Sequence, residues 1–474
     1  MSGYYFSVTR NGVRRAVAAA AAMLSFTGTV AKADVAATDV WYDKFFSIAA
    51  NGERLDTADR RASLDGLWFE EEQMGHAAPV FYDWDGDGKR DLLIGGFSGR
   101  YRVYRNQGAD DAPLFDGYEW IRAGDKVATV PNFCCVAAGI RMADIDGDGH
   151  DDLTAGSYAP GLIYWFRGES EGFASRRSLT DRDGIPLITR LGTVVEKLPD
   201  SFNAKPAWMD WDDDGDLDLI VGNLVGDLIV RRNEGPSHKA GVTADPKQPV
   251  FSRQSSHTVW RPNVFDFVDG GPGLLETEKY LTPATADWDQ DGLIDIVVGT
   301  QSGAVYWLRN TGETGAPAFA APEQLLPPVP GDGYPPSVLL EAGESVGRGA
   351  RASVDVTDYN GDGKPDLIVG DWSRTHRPRA GLTAAKRTAF AELQRALIAL
   401  DRRAGIDGPP FAFRDRIKST DAYRKAGGDS ELATERRKLE RELLAYLEPV
   451  RPEHSEHLFG YTRFHGHVWV YLRK

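Results

Sequence analysis

The sequence contains almost no cysteine. Only two of its 474 residues are Cys, and they are neighbours, Cys134 and Cys135. A network of disulfides therefore cannot stabilise the fold. Three states of the adjacent pair remain open: a vicinal disulfide, two buried thiols and an intermolecular link.

Long apolar runs are also missing after the N-terminus. Residues 1–33 contain basic residues, then an apolar run over residues 16–26, and then small residues up to Ala33. This order predicts a secretory signal peptide cleaved after Ala33. The run is short for a membrane span, so we expect a protein that is secreted or periplasmic and does not cross the membrane.

Positive charge is in the minority. Lys and Arg number 55 against 70 Asp and Glu, which gives a formal net charge of −15. Without the predicted signal peptide, which carries four basic residues, the charge becomes about −19. Phosphate backbones require clustered cations, so we expect no nucleic-acid partner.

Some catalytic signatures are absent as well. The sequence has no H-E-x-x-H zinc motif and no glycine-rich phosphate loop. These absences favour a binding protein over an enzyme, although an enzymatic function stays open as an alternative.

The most informative motif that is present is a loop of the form D-x-[DN]-x-D-G-x-x-D. It occurs five times, and each copy is followed at once by a short apolar run that ends in glycine. Alternate carboxylates around a glycine turn suit a hard cation with six to eight oxygen ligands, such as calcium. An EF-hand would need Glu at the twelfth position, where the first loop has Ile94. The loops therefore join two strands.

The predicted calcium ligands occupy positions one, three, five and nine of each loop. They supply 19 carboxylates and one amide, Asn360, which predicts a weaker fifth site. About five structural calcium ions would offset much of the net charge. The predicted ligands are Asp83, Asp85, Asp87 and Asp91; Asp144, Asp146, Asp148 and Asp152; Asp210, Asp212, Asp214 and Asp218; Asp287, Asp289, Asp291 and Asp295; and Asp358, Asn360, Asp362 and Asp366.

The loops begin 61 to 77 residues apart, a spacing typical of propellers and solenoids. Each unit has a strand before the loop, an apolar strand after it, and a further strand such as GRYRVYRNQG. The segments APLFDG, EGFASR, QPVFSR and APAFAA then provide candidate outermost strands. Four strands per unit make a propeller blade.

These motifs, in this order, resemble the FG-GAP or VCBS repeat family over Ala77–Lys474, less one insertion. The resemblance implies a β-propeller with calcium between the first and second strands of each blade, as in integrin α-subunits, several fungal lectins and carbohydrate-acting enzymes. Family propellers often have seven blades, whereas five loops here predict an all-β, five-bladed propeller of four-stranded blades. We assign residues 76–474 to the propeller. Within the N-terminal segment 34–75, residues 39–55 would supply the strand that closes the ring.

Residues 374–460 interrupt the last blade. Leucines at helical spacing predict two helices, Thr383–Ala404 and Asp429–Leu447. Between Arg374 and Leu458 there are 18 basic and 13 acidic residues. This insertion either packs on the propeller rim, closes over it as a lid, or docks an anionic partner.

The insertion and the long blade crossings lie on the face opposite the calcium loops, where we expect function. Aromatic rings stack on sugars, so the candidate ligand-binding residues are Trp260, Arg261, Tyr334 and Trp372. The candidate catalytic residues are His454, His457, Tyr461, Arg463 and His465. They could provide a base, an acid and an anion clamp for β-elimination of a uronic-acid polymer. Alternatively, they could bind a transition metal.

Three functions therefore compete. The first is a secreted calcium-binding propeller that binds an extracellular glycan or protein. The second is a polysaccharide lyase or dehydratase that uses the His/Tyr/Arg stretch. The third is an assembly or adhesion component that docks a partner through the helical hairpin. The sequence indicates neither the ligand nor the oligomeric state.

Overall fold

A computed structural model describes residues 41–57, 75–131, 139–158, 161–188, 203–224, 226, 228–235, 249, 251, 278–329, 338–339, 347–403, 431–450 and 461–474. The predicted signal peptide and both cysteines lie outside these residues. The described chain begins with β1 (Tyr42–Ser47) and a short hairpin, β2 (Ala49–Ala50) and β3 (Glu53–Arg54). No helix in the described part is long and apolar enough to cross a membrane.

Five antiparallel sheets follow one another as blades. Blade 1 contains β4 (Ala78–Tyr82), β5 (Asp91–Gly95), β6 (Tyr101–Tyr104) and β7 (Glu119–Trp120). A hairpin, β8 (Arg122–Ala123) and β9 (Lys126–Val127), leads to blade 2. Blade 2 contains β10 (Ile140–Ala143), β11 (Asp152–Gly156), β12 (Ile163–Phe166) and β15 (Arg177–Ser178), with the hairpin β13 (Gly168–Glu169) and β14 (Gly172–Phe173) between the last two.

The remaining blades repeat this order. Blade 3 contains β16 (Lys205–Met209), β17 (Asp218–Gly222) and β18 (Leu228–Arg231). Blade 4 contains β19 (Thr282–Ala286), β20 (Asp295–Gly299), β21 (Val305–Leu308) and β22 (Glu323–Leu326). The two-residue strand β23 (Val338–Leu339) leads to blade 5, with β24 (Ala350–Thr357), β25 (Asp366–His376), β26 (Arg463–His465) and β27 (Val468–Arg473).

The first strands of the blades form a closed ring around the axis. Neighbours in the ring contact each other in the order β4, β10, β16, β19, β24 and again β4. The predicted five-bladed propeller is therefore confirmed.

The fifth blade is completed by the N-terminal strand. β1 pairs antiparallel with β27, so that Ser47 lies opposite Trp469, and the blade order is β24, β25, β27, β1. The outermost edge of the last blade thus comes from the start of the described chain.

The core lies between the blades. Alternate side chains of a strand point to opposite faces, so in β5 Leu93 packs toward blade 2, in a cluster with Ile140 and Leu153. Its neighbour Leu92 packs toward blade 5, in a cluster with Ile368. Both faces of each blade are buried, which explains why the strand after each loop is apolar without alternation.

The predicted outermost strands differ from those observed. In blade 1 the segment APLFDG forms only isolated bridges, Phe115 with Asn106 and Ala50, and Ala112 with Ala109, and the outer strand β7 follows it. The segment differs from the predicted strand because the Phe115 side chain packs into the core. Its equivalents Phe173, Phe251 and Phe319 are likewise buried.

The last blade carries the predicted two-helix insertion. Helix α1 spans Ala384–Arg403 and α2 spans Glu431–Leu444, within one to three residues of the predicted ends. The Thr383 hydroxyl accepts a hydrogen bond from the N–H of Lys386 at 3.3 Å and caps α1. Phe390 of α1 packs against Leu443 of α2 in a small separate core.

Candidate functional site

The five aspartate loops share one hydrogen-bonding pattern. In the first loop, the Asp83 carboxylate accepts hydrogen bonds from the backbone N–H groups of Gly86 (2.9 Å) and Gly88 (3.0 Å). The sixth position is glycine because its φ is positive, +83° at Gly88. The bond from the sixth residue to the first recurs at Gly149, Gly215, Gly292 and Gly363.

Third-position aspartates of three loops leave one carboxylate oxygen without a hydrogen-bond donor in the described residues. The Oδ1 atoms of Asp146, Asp212 and Asp289 are buried and meet no hydrogen-bond donor among the described residues. A buried carboxylate oxygen without a donor is costly unless a cation binds it. Such orphaned oxygens therefore fit the predicted calcium sites.

The loop carboxylates also converge. In four loops, three of them offer oxygens that lie within 4.8 Å of one another. A set made only of oxygen ligands fits a hard cation. These groups are Asp83, Asp85 and Asp87; Asp144, Asp146 and Asp152; Asp210, Asp212 and Asp218; and Asp287, Asp289 and Asp291.

An arginine at the end of the third strand reaches the loops of blades 1 to 4. Arg167 contacts Asp146 at 2.5 Å, and Arg309 contacts Asp289 at 2.6 Å. Arg105 and Arg232 take the equivalent places. These residues were not among the predicted site residues, although the repeated spellings YRN, FRG, RRN and LRN mark them. They pair with Oδ2 of the third-position carboxylate and leave Oδ1 of Asp146, Asp212 and Asp289 without a donor in the described residues.

The ninth-position aspartate joins three parts of each blade. In blade 3, Asp218 accepts hydrogen bonds from the N–H of Trp211 (2.9 Å) in the loop and of Asn233 (2.6 Å) beyond the third strand. Burial raises the pKa of Asp218 to about 6 and that of Asp152 to about 7. A bound cation would favour the ionised carboxylates. The ninth position is therefore a structural link as well as a candidate ligand.

Polar side chains cluster at the opposite end of the axis. His76, Asn203, Tyr280 and Arg351 each precede the first Asp of their loop by seven residues, and all are buried. The Tyr280 hydroxyl lies 3.3 Å from Nε2 of His76, which lies 3.3 Å from the carbonyl oxygen of Arg351. Tyr280 and Arg351 have φ of +57° and +56°, a strained conformation for such residues that is often found at functional sites.

Basic side chains converge at this end. Burial lowers the pKa of Lys205 well below its usual value, and the nearby Arg141 and Arg351 lower it further. Arg141, in the first strand of blade 2, donates to the carbonyl oxygens of Pro283 (2.6 Å) and Val354 (2.8 Å) in the first strands of blades 4 and 5. Arg141 therefore links three of the innermost strands.

A small open pocket adjoins this cluster on blade 1. Among the described residues, its lining includes His76, Arg100, Arg102 and Trp120, together with Thr57 and Ser98, and no acidic side chain. The guanidinium groups of Arg100 and Arg102 lie 4.4 and 5.3 Å from the centroid of one Trp120 ring. The volume of about 10 Å³ matches a single water molecule. The pocket can therefore admit one oxygen atom of an anionic group but not a sugar ring.

The predicted catalytic residues do not assemble into a cluster in the described part of the chain. His454 and His457 lie outside it. Tyr461 is buried, Arg463 pairs with Glu448 at 3.3 Å, and His465 Nδ1 lies 2.6 Å from Asp56.

Of the predicted ligand-binding residues, Trp260, Arg261 and Tyr334 lie outside the described part. Trp372 is only 6% exposed. Its ring stacks on Phe464 at 5.9 Å, and the guanidinium of Arg351 lies 4.2 Å from its centroid. Trp372 therefore fixes the orientation of Arg351 and is not presented as an exposed sugar platform.

One local sequence, GESEG at residues 168–172, spells the G-x-S-x-G pattern of serine hydrolases. It forms the β13–β14 hairpin, with Gly168 opposite Phe173. A nucleophile elbow requires a turn from a strand into a helix. The match is therefore a hairpin turn and not a catalytic motif.

Comparison with known proteins supports the repeat. Residues 287–369 match the family model of the FG-GAP-like repeat, from the fourth aspartate loop into β25 of blade 5.

Solved structures align over long parts of the chain at low identity. A Photorhabdus luminescens Tc holotoxin pore is 14% identical over 62% of this chain and 13% of its own, with a TM-score of 0.25. An Agrocybe aegerita lectin described as recognising non-reducing terminal N-acetylglucosamine is 16% identical over 69% of this chain and 65% of its own, with a TM-score of 0.26. A β-xylosidase/α-arabinofuranosidase from a compost microbial metagenome is 12% identical over 63% of this chain and 86% of its own, with a TM-score of 0.29.

These TM-scores are too low to carry a functional conclusion. The family match, in contrast, coincides with loops whose geometry repeats in all five blades. The chain therefore contains an FG-GAP-like repeat at residues 287–369.

Proposed function

We propose that the protein is an exported, calcium-stabilised propeller that binds an acidic carbohydrate on the face opposite its aspartate loops. The pocket of blade 1 carries this proposal, because it places two arginines on one tryptophan with no acidic side chain among the described residues that line it. The predicted signal peptide and the orphaned loop oxygens support export and calcium binding.

The chemistry of the pocket favours a carboxylate or sulfate group. Arg102 donates to the carbonyl oxygen of Thr57 at 3.0 Å, and Arg100 donates to the Ser98 hydroxyl at 3.3 Å. Both guanidinium groups are thus held in place before a ligand arrives, which lowers the entropic cost of binding. Because the pocket is too small for a sugar ring, the ring itself would lie outside it.

The cationic axis adds to the attraction. Burial lowers the pKa of His76 well below its usual value, and Arg351 and Lys205 lower it further, so His76 itself adds no charge at neutral pH. The groups that would attract an anionic ligand to this face are the guanidinium groups of Arg100, Arg102 and Arg351, on a protein whose total charge is negative. This contrast favours an anionic partner over a neutral one.

Replacing Arg100 with Gln should weaken binding to an acidic polysaccharide about tenfold, because a charged hydrogen bond is worth roughly 1.5–3 kcal/mol. Binding of polygalacturonate and of a sulfated glycan should be measured by calorimetry, beside neutral glucan and xylan. Arg395→Gln removes the same charge from the exposed side of α1 and should bind like the wild type.

Higher salt should weaken the wild-type interaction, since exposed ion pairs are screened. Equal affinity for neutral and acidic polymers, or an Arg100→Gln variant indistinguishable from Arg395→Gln, would show that the pocket is not the binding site. Capture of a protein partner without glycan affinity would favour a protein ligand instead.

A further inference from the structure

The ring closure contains a group of metal-ligating side chains. Asp56, His465 and His467 each offer a ligand atom, and these atoms all lie within 4.8 Å of one another. Asp56 follows the N-terminal hairpin, whereas the two histidines flank Gly466 just before β27. The group thus spans the point where the first and last strands of the propeller meet.

The two histidines are held side by side. Residues two apart in an extended segment point to the same side, and the rings of His465 and His467 stack at 5.6 Å with 14° between their planes. His465 Nε2 lies 2.7 Å from the Thr375 hydroxyl, and the opposite nitrogen, Nδ1, faces Asp56 at 2.6 Å.

A second carboxylate supports His467. Asp371 is completely buried and accepts hydrogen bonds from the N–H of His467 (2.8 Å) and from Nε1 of Trp469 (2.9 Å). Its Oδ1 lies 3.5 Å from Nδ1 of His467. At this separation the carboxylate makes no good hydrogen bond to the ring, so Asp371 fixes the backbone of His467 and leaves Nδ1 of the imidazole without a partner in the described residues.

An ion pair between Asp56 and His465 accounts for only part of this arrangement. His467 is only 4% exposed, and its Nδ1 meets no hydrogen-bond donor or acceptor at good geometry in the described residues. Burying the His467 ring without a hydrogen bond to its Nδ1 atom costs free energy. A cation shared by both rings would offset that cost.

We propose that Asp56, His465 and His467 bind a transition-metal ion, and that this ion staples the ring shut. Two imidazoles and one carboxylate suit Zn²⁺ and similar metals, and they differ in kind from the all-oxygen aspartate loops. Ligand atoms around tetrahedral zinc lie roughly 3.3 Å apart, given Zn–ligand distances of about 2.0 Å. The Asp56 and His465 side chains would therefore separate slightly on binding.

The backbone around the group already joins the two ends. Thr57 N–H donates to the carbonyl oxygen of Gly466 at 2.9 Å, and Gly466 N–H donates to Asp56 Oδ1 at 3.1 Å. A metal at this point would cross-link residues 409 positions apart. It would act like a disulfide that closes a long loop, and would oppose detachment of β1 from β27.

Zinc binding to the full chain tests the proposal. Protein stripped of metal and refilled with calcium should be titrated with Zn²⁺ by calorimetry and with Co²⁺ by visible absorption, which reports imidazole coordination. We expect one site per chain, a rise in melting temperature of about 3–5 °C, and at least tenfold weaker binding in Asp56→Asn and His465→Gln.

His150→Gln is the matched control, because His150 is an exposed histidine in the second aspartate loop and reports zinc that binds at the calcium loops. It should bind Zn²⁺ like the wild type. Circular dichroism and the calcium-loaded melting temperature establish that each variant folds. Zinc affinity that is absent, lost in His150→Gln, or unchanged in folded Asp56→Asn would overturn the proposal.

Discussion

Removing calcium should lower the melting temperature of the protein on the order of 10 °C. A ligand that binds only the native state stabilises it by about 2.7 kcal/mol per site at a hundredfold excess over its Kd. Five loops share this dependence. Without the ion, the buried Oδ1 atoms of Asp146, Asp212 and Asp289 meet no positive partner inside their loops. The measurement is a thermal melt with and without EDTA.

Refilling the stripped protein separates the proposed ion from others. Calcium should restore the melting temperature, while magnesium at the same concentration should restore less, because Mg²⁺ needs nearly ideal octahedral geometry and gives up its water reluctantly. Zinc should be kept at a fixed, saturating level so that only the aspartate loops respond. An unchanged melt in EDTA would refute calcium binding by the loops.

Asp218→Ala should destabilise the protein by roughly 3–5 kcal/mol even when calcium is absent. The carboxylate is fully buried and accepts the N–H groups of Trp211 and Asn233. Its removal leaves two buried donors without an acceptor, at about 1–3 kcal/mol each, and more where the lost acceptor is charged. Asp218→Asn keeps one acceptor oxygen, so its free energy of unfolding should lie between those of the wild type and Asp218→Ala. Denaturant unfolding in EDTA gives the difference.

The exposed Asp116 provides the control, since Asp116→Ala removes the same group from the surface and should change stability by no more than about 0.5 kcal/mol. If Asp218→Ala in EDTA were as stable as Asp116→Ala, the ninth position would matter only as a metal ligand. A loss that appears in EDTA assigns it a second role as the link between loop and strand.

The blade number was predictable because the loops repeat one residue pattern at one spacing. Each loop needs carboxylates at alternate positions and a glycine where φ is positive. The geometry of the loop therefore fixes the residue types, which can be recognised in the sequence. The helices of the insertion were predictable for a similar reason, since leucines follow the helical period.

The cationic axis was not predictable in this way. His76, Tyr280 and Arg351 are three different residue types in three blades, so no motif marks them. Each of them lies seven residues before the first Asp of a loop. This shared position places them together only because the first strands of the blades surround one axis. A repeat-aligned search for buried polar residues at that offset would find them.

The residues close to His465 in the sequence are not the residues that contact its side chain in the structure. Tyr461 and Arg463 are close to it along the chain, but one is buried and the other pairs with Glu448. The His465 ring instead contacts Asp56 and Thr375. Both lie far from it in the sequence, so the sequence alone does not indicate these contacts.

The pairing of β1 with β27 sets a limit on the order of folding. Blades 1 to 4 consist of contiguous segments and can form as soon as their own residues are available, whereas the fifth blade must wait for strands that lie more than 400 residues apart. Such a long-range contact closes slowly. Until it forms, β27 exposes an unpaired edge, so the newly made chain passes through an open ring that is prone to pair with other strands. Association between chains should therefore concentrate in this interval and depend on protein concentration during refolding.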